Sequence, residues 1–312
     1  MSKQKISFVI PCYGSENTIE KVADDIFAVM RKRDYDFELI LVNDASPDKV
    51  WDKIENLTAR YHNVTGICLA KNFGQHAALM AGYARVTGDI MISLDDDGQH
   101  PPEEVFALID KLNEGYDVVF SAYAKKQHNI LRNIGSKIND YMAEILIGKP
   151  HNIQIYSYYA VRRYIIDEVV KYRGPYPYIT GLLFRATNNI ANVSIEHRKR
   201  ETGHSGYSFR KLLDLWLNGF TAFSVKPLRI ASMLGVGLSL AGIFYMVFLI
   251  WEKYRDPNMV LGYTSLMASI IFIGGILMTM LGLIGEYIGR IYISLNEAPQ
   301  YVIKTIRTQT NQ

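Results

Sequence analysis

Two long stretches near the C-terminal end carry no charge, and they constrain this chain more than any other feature. Ile230–Trp251 runs 22 residues and Pro257–Gly285 runs 29 residues without an Asp, Glu, Lys or Arg. About 20 apolar residues cross the hydrocarbon of a bilayer. Each stretch therefore reads as a spanning helix, and Glu252–Asp256 is the short connector between them. The remainder is a different material: residues 1–227 hold 55 of the charged side chains, and residues 228–312 hold 10. A polar globular part followed by a membrane-like pair excludes both a fully soluble enzyme and a many-span transporter. A channel is disfavoured as well, because neither stretch carries an interior charge.

The flanks orient the pair. Lys226 and Arg229 precede it and Arg290, Lys304 and Arg307 follow it, while Lys253 and Arg255 in the connector are offset by Glu252 and Asp256. The positive-inside rule then puts both ends in the cytoplasm. Ile6–Ile10 is too short for the apolar core of a signal peptide. Cys12 and Cys68 form no CxxC and suit a reducing compartment. The expectation is a multi-pass protein of the cytoplasmic (inner) membrane, with its globular domain and both termini cytosolic. A net charge of +3 is too small to argue for nucleic acid. Ahead of the first stretch, Ser208–Val225 interleaves Leu212, Leu213, Trp216, Phe220 and Phe223 with Arg210, Lys211 and Asp214. This is the pattern of a helix lying in the membrane interface; a core helix of the globular part is the other reading. The expected organisation is a globular domain over 1–207, an interfacial helix over 208–227, two membrane helices within 228–285 (about 230–251 and 259–285) and a cytosolic tail over 286–312.

In the globular part, short apolar runs alternate with helix-period stretches. The runs are Ile6–Ile10, Phe37–Val42, Val64–Leu69, Ile90–Leu94 and Val118–Phe120; the helical stretches are Ser15–Arg33, Asp48–Tyr61, Gln75–Val86 and Pro102–Asn113. Runs without polar alternation imply strands buried on both faces, hence an open α/β sheet with parallel strands. Ligands of such sheets bind beyond the carboxyl ends of the strands. The residues there are Pro11-Cys-Tyr-Gly-Ser-Glu16, Asn43-Asp-Ala-Ser-Pro-Asp48, Lys71-Asn-Phe-Gly-Gln75 and Asp95-Asp-Asp-Gly-Gln-His-Pro-Pro-Glu103. Neither GxGxxG nor GxxxxGK[ST] occurs, which removes the dinucleotide and P-loop fingerprints.

Three adjacent carboxylates at a strand end repel one another unless a cation sits among them. Alternate residues of an extended segment share a side, so Asp95 and Asp97 can face one ligand while Asp96 faces away. Hard oxygen donors with room for phosphate oxygens suit Mg²⁺ or Mn²⁺, which would stabilise a diphosphate leaving group. Asp97 or Gln99 would also cap a helix starting at Pro101-Pro102-Glu103-Glu104, and both roles are compatible. Lys71 and Gln75 read equally as nucleotide contacts or as the start of the next helix. Tyr156, Tyr158 and Tyr159 read as a sugar-stacking surface or as a half-buried strand, and His76 reads as packing. His100 and His204 lie in loops where a substrate contact is open.

These motifs resemble the inverting family 2 glycosyltransferases of GT-A fold. Pro11-Cys-Tyr13, Asn43-Asp-Ala-Ser46 and Asp95-Asp-Asp-Gly-Gln99-His-Pro-Pro-Glu103 carry the likeness. Arg200-Glu-Thr-Gly203-His-Ser205-Gly-Tyr207 is similar to an RxxGxSxY loop, and the two terminal stretches narrow the group to polyisoprenyl-phosphate glycosyltransferases. That group includes dolichol-phosphate mannose synthase and the bacterial undecaprenyl-phosphate glucosyl and aminoarabinosyl transferases. The resemblance implies an open mixed sheet with helices on both faces. It also implies transfer from a nucleotide-sugar, a UDP-sugar, to a polyisoprenyl phosphate for cell-envelope glycan or glycolipid modification.

Carried over by position, Pro11, Tyr13 and Asp44 line the nucleotide pocket, with Lys71 and Gln75 beside it. Asp95, Asp97 and Gln99 hold the metal, and Asp96 lies near the nucleotide-sugar. Arg200 and Ser205 bind the lipid phosphate, supported by Arg132, Ser136 and Lys211; the basic run His197–Arg200 also reads as a plain surface. Asp96, Asp97 and Arg200 are the implied catalytic set. Gly14 and Ser15 depart from the usual Pro-x-Tyr-Asn-Glu loop, and Glu16 stands in. Membrane lipids, a homo-oligomer (a tetramer) and a separate flippase are the implied partners. A processive polysaccharide synthase would carry a QxxRW motif and more spans, and neither is present. A non-catalytic scaffold of a flippase complex is the reading from outside enzymology, and the acidic Asp95/Asp97 pair argues against it.

Overall fold

The computed structural model describes residues 4–33, 35–123, 144, 149–195, 226–255, 262–295 and 299–309. They divide into two units, the sheet domain and the C-terminal helices.

Eight strands make the sheet: β1 (Lys5–Cys12), β2 (Asp36–Asn43), β3 (Val64–Leu69), β4 (Ile90–Ser93), β5 (Val118–Tyr123), β6 (Tyr159–Arg162), β7 (Ile190–Ile195) and β8 (Ile303–Thr308), in the order β7-β5-β6-β4-β1-β2-β3-β8. β1 to β4 are mutually parallel, as the largely apolar runs suggest. β6 runs antiparallel between β4 and β5, and β8 runs antiparallel along β3, so the sheet is mixed. Within the expected tail over 286–312 the structure places the end of the last helix, to Leu295, and strand β8. β3 would otherwise end the sheet with an open row of backbone donors and acceptors, and the last stretch of the chain pairs with it.

Helices cover both faces. α1 (Ile19–Met30), α2 (Val50–Arg60) and α4 (Val105–Asn113) place Val22, Ile26, Ile54, Leu57, Leu108 and Leu112 in one core with Phe8 and Ile10 of β1. Each such side chain contributes about 1.5–3 kcal/mol on burial. α3 (Gln75–Tyr83) packs on the other face, where Gly82 lies against Val9. Gly66 of β3 lies as close to α2: a Cβ added there would sit 2.6 Å from Ile54 Cγ2. α5 (Arg163–Val169) and α6 (Ile179–Ala186) follow β6. The helical period from Ser15 becomes regular helix only at Ile19, because the amides of Thr18 and Ile19 both bond to the Ser15 carbonyl in a turn.

The second unit holds α7 (Lys226–Arg255) and α8 (Tyr263–Leu295), in which Gly235 of α7 faces Met280 of α8. Phe272–Gly289 within α8 is long and apolar enough to cross a membrane, whereas the apolar stretch Ala231–Tyr245 of α7 is shorter. Both helices expose large apolar side chains, Phe244 at 74% and Met278 at 72% among them. Helix surfaces of that kind mark contact with a membrane or another protein. The expected interfacial helix over 208–227 falls almost wholly outside the described residues.

Candidate active site

The topology selects one crevice. From β1 the chain steps outward through β2 and β3, then returns past β1 to place β4 on its other side. Such reversals open a crevice at the carboxyl ends of the strands. The loops after β1 and β4 flank it, and one hydrogen bond closes its floor: the Tyr13 amide donates to Asp96 Oδ2 at 2.9 Å. Thr18 Oγ1 adds a bond to the Asp96 carbonyl at 2.6 Å.

Asp95 and Asp96 diverge as their alternation requires. Asp96, half-buried, carries the β1 loop. Burial is the main cause that pushes its carboxyl up to about 6; the Tyr13 amide opposes this, and the charges of Asp95 and Asp97 add to it. Asp95 is held from three sides. Gln75 Nε2 donates to Oδ1 at 3.0 Å, Ser157 Oγ donates to Oδ2 at 2.5 Å, and the Asp95 amide donates to His100 Nδ1 at 3.0 Å. His100 is buried and stacks on Tyr158 with centroids 5.1 Å apart. An accepting Nδ1 leaves the ring hydrogen on Nε2. Asp97 Oδ1 accepts the Gln99 amide at 3.0 Å, closing a turn in which Gly98 takes φ +72°.

The remaining loops are laced to these. Asp44 is buried and spends one oxygen on the Phe73 amide and the other on the Gly74 amide, both at 2.8 Å. Burial raises its pKa even so. Gly74, at φ +92° and ψ 158°, sits where only glycine is comfortable, and α3 starts from it. Ala45 is forced to φ +49° by the turn in which Asn43 Oδ1 accepts the Ser46 amide. Ser46 Oγ accepts the Gly14 amide at 2.8 Å and donates to Asp48 Oδ1 at 2.6 Å. Glu16 is tied to residues 48 and 49: its amide donates to Asp48 Oδ2, and its Oε2 accepts the Lys49 amide, each at 2.9 Å.

The match to known proteins covers both units. The family model described as Glycosyl transferase family 2 matches residues 7–170, and a model described as the GtrB C-terminal hairpin matches residues 226–291. The chain belongs to glycosyl transferase family 2. The undecaprenyl-phosphate 4-deoxy-4-formamido-L-arabinose transferase of Photorhabdus laumondii subsp. laumondii is 33% identical over 324 residues, covering 99% of this chain and 97% of that protein. The protein of that name from Yersinia pestis (strain Pestoides F) is 32% identical over 320 residues, with 99% and 97% covered. Among solved structures, glucosyl-3-phosphoglycerate synthase from Mycobacterium tuberculosis in complex with UDP aligns at a TM-score of 0.49 and 20% identity, over 70% of this chain and 78% of that one.

In this family 2 glycosyltransferase the structure brings Tyr13, Gln75, Asp95, Asp96, Asp97 and Gln99 to one edge. Pro11 ends β1 in register with Val42, and Lys71 is exposed, its Nζ 5.0 Å over the Phe73 ring. Glu16 is engaged at the start of α2. Arg132, Ser136, Arg200, His204, Ser205 and Lys211 lie outside the described residues. Among the described residues no three His, Cys, Asp or Glu side chains form a metal cluster. The turn after β4 offers two carboxylates instead.

The tyrosines split. Tyr158 and Tyr159 are buried in the core, where the Tyr159 hydroxyl shares a 2.5 Å hydrogen bond with that of Tyr83, and Tyr156 is exposed. His76 packs edge-on against Tyr178 at 5.3 Å, and burial lowers its pKa to about 4. Ser157 is the site residue that sequence reasoning missed. It reaches Asp95 because β6 is antiparallel to β4 and Tyr159 pairs with Ser93, so the residues just before β6 arrive where β4 ends.

Proposed function

We propose that this glycosyltransferase moves a sugar from a nucleotide-diphosphate donor, a UDP-sugar, to a polyisoprenyl phosphate at the cytosolic face of the membrane, with inversion at the anomeric carbon. The observation that carries the reading is the acidic turn after β4, set against the β1 loop at the topological reversal. The apolar helix pair in the same chain and the names of the full-length relatives support it. Asp95 and Asp97 have the donor chemistry for Mg²⁺ or Mn²⁺, two carboxylates to be completed by diphosphate oxygens. When bound, the ion would neutralise charge on the leaving diphosphate.

The chain's own residues do the rest. Gln75, Ser157 and His100 fix the Asp95 carboxylate and its backbone. The Asp96 carboxylate holds the β1 loop, so that Tyr13 stands over the crevice. Asp44 fixes the 71–75 loop, and Lys71 stands at its exposed start to meet phosphate. Arg200 and Ser205, with Arg132, Ser136 and Lys211, are assigned the acceptor phosphate, for which arginine's planar fork is suited. That phosphate is already anionic at neutral pH, so orientation serves it better than a general base. Both helices span the membrane and lie with the catalytic domain and both termini cytosolic. Two spans provide no translocation path, so a separate flippase carries the product across, and the enzyme works as a homo-oligomer, a tetramer.

The test is nucleoside diphosphate release by the purified full chain in detergent, with a panel of nucleotide-sugars, Mn²⁺, and undecaprenyl phosphate present or absent. Release that requires lipid, metal and Asp97 is the expected result. Release without lipid would overturn the acceptor, and no release from folded protein with any donor would overturn the enzyme.

A further inference from the structure

The segment that follows α8 does more than cover an edge. Three of its residues reach the bases of two loops that meet beside the acidic turn. Gln300 Nε2 donates to the Tyr172 carbonyl at 2.6 Å, at the start of the loop that joins α5 to α6. The Val302 carbonyl accepts the Ala70 amide at 2.8 Å, at the start of the loop that joins β3 to α3. Ile303 then opens β8 against Leu69, and the register slips between Cys68 and Leu69, where β3 leaves the sheet. Irregularities of this kind re-aim a strand end.

The far ends of the two loops touch each other. Tyr178, the residue before α6, sets its ring against His76, and the neighbouring Gln75 donates to Asp95. Further along, β8 is fastened to α2: Arg307 Nε donates to Glu55 Oε1 at 3.0 Å, and Gln309 Nε2 donates to the Ala59 carbonyl at 3.2 Å. The grip at Gln300 and Val302 is therefore the leading end of an anchored strand.

We infer that residues 300–302 are a positioning element of the active site, pinning the loops 70–75 and 172–178 so that Gln75 is held on Asp95. No residue of the segment touches the reacting atoms. Its effect passes through one side-chain and one backbone hydrogen bond into loops that carry the donor-side residues. This rests on the proposed function only in taking those loops as the donor side of the site.

The experiment uses the full chain in detergent and two readouts: backbone hydrogen exchange, and the kinetic constants for donor and lipid phosphate. Gln300→Glu keeps the shape but removes the donor, and Gln300→Lys restores a donor of similar reach. Thr305→Pro is designed to loosen the β8 pairing and serves as the stronger, independent disturbance. In Gln300→Glu, exchange in 70–75 and 172–178 is expected to quicken about tenfold while β1 and β4 keep their protection. The donor KM is expected to rise about five- to twentyfold with the lipid-phosphate KM unchanged, and Gln300→Lys is expected to revert both effects. Thr305→Pro should give the same pattern, larger. Wild-type exchange in both loops for Gln300→Glu and Thr305→Pro would overturn the inference, as would a fall in kcat with both KM values unchanged. If the wild type turns over no donor, the proposed function falls, and the exchange readout still decides the positioning role.

Discussion

The two edges of the sheet solve the same problem in opposite ways. At the amino edge, Glu38 of β2 takes a hydrogen bond from Ser7 Oγ, from the Thr87 amide and from Thr87 Oγ1, and pairs with Lys5 Nζ at 3.4 Å. Burial works against its ionisation, yet these partners outweigh burial and hold its pKa below the usual value. At the carboxyl edge, Asp96 has the Tyr13 amide, but burial outweighs it, the charges of Asp95 and Asp97 add to burial, and its pKa rises to about 6. A carboxylate supplied with donors is relaxed and serves stability. A carboxylate that burial leaves short of donors, beside two others, is ionised at a cost that a cation or ligand can relieve, which is where function is to be sought.

The sharpest break of this contrast is a pair of variants. Asp97→Ala should cut nucleoside diphosphate release by at least about 100-fold, the several kcal/mol expected of a lost charge-stabilising group, with a melting temperature near wild type. Glu38→Ala should do the reverse. It leaves Ser7, Lys5 and the Thr87 amide without their shared acceptor and should cost about 2–3 kcal/mol of stability by denaturant titration, with activity per folded molecule kept.

A pH series sharpens it. A group whose folded pKa is depressed contributes stability above its unfolded pKa, about 4.3, and loses it as pH falls through the folded value. Acid melting curves of wild type should show that loss, and Glu38→Gln should not. Asp96 has the opposite sign. Raised from 3.8 to about 6, it costs stability above pH 6 and costs nothing below its unfolded value. Asp96→Asn keeps an acceptor for Tyr13, so without added metal at pH 7.5 it should melt several degrees above wild type, an effect on the order of 3 kcal/mol, and the gap should close near pH 4. Equal melting temperatures at pH 7.5 would remove Asp96 from the contrast. The smallest effect belongs to Ala45→Gly. Relief at φ +49° offsets the extra freedom of the unfolded glycine, for a gain of about 0.5 kcal/mol in a chemical melt.

The carboxyl edge was largely legible in the chain because its determinants are local. Val9, Ile40 and Ile92 sit in largely apolar runs, so the first four strands and the loops at their ends could be placed by pattern alone. The divergence of Asp96 from Asp95 followed from extended-chain alternation. What stayed hidden depends on pairings far apart in the chain. Ser157 gains its place only through the antiparallel insertion of β6. Ile303–Thr308 has little alternation to announce a strand, and its partner β3 lies far back in the chain, before β4 to β7 and both C-terminal helices. Glu16 reads as a ligand residue because its loop is at the right edge, and its bond to the Lys49 amide at the start of α2 also depends on a contact far along the chain.

That late strand has a consequence for how the protein is made. β3 is synthesised early, but the segment that completes its edge emerges only after both apolar helices. At roughly 5–20 residues per second, that interval is on the order of ten to fifty seconds, during which the catalytic sheet carries a bare edge open to wrong pairing. Completion of the sheet domain is thus scheduled after both C-terminal helices have left the ribosome, and a molecule cut short within those helices would be left with an unfinished sheet.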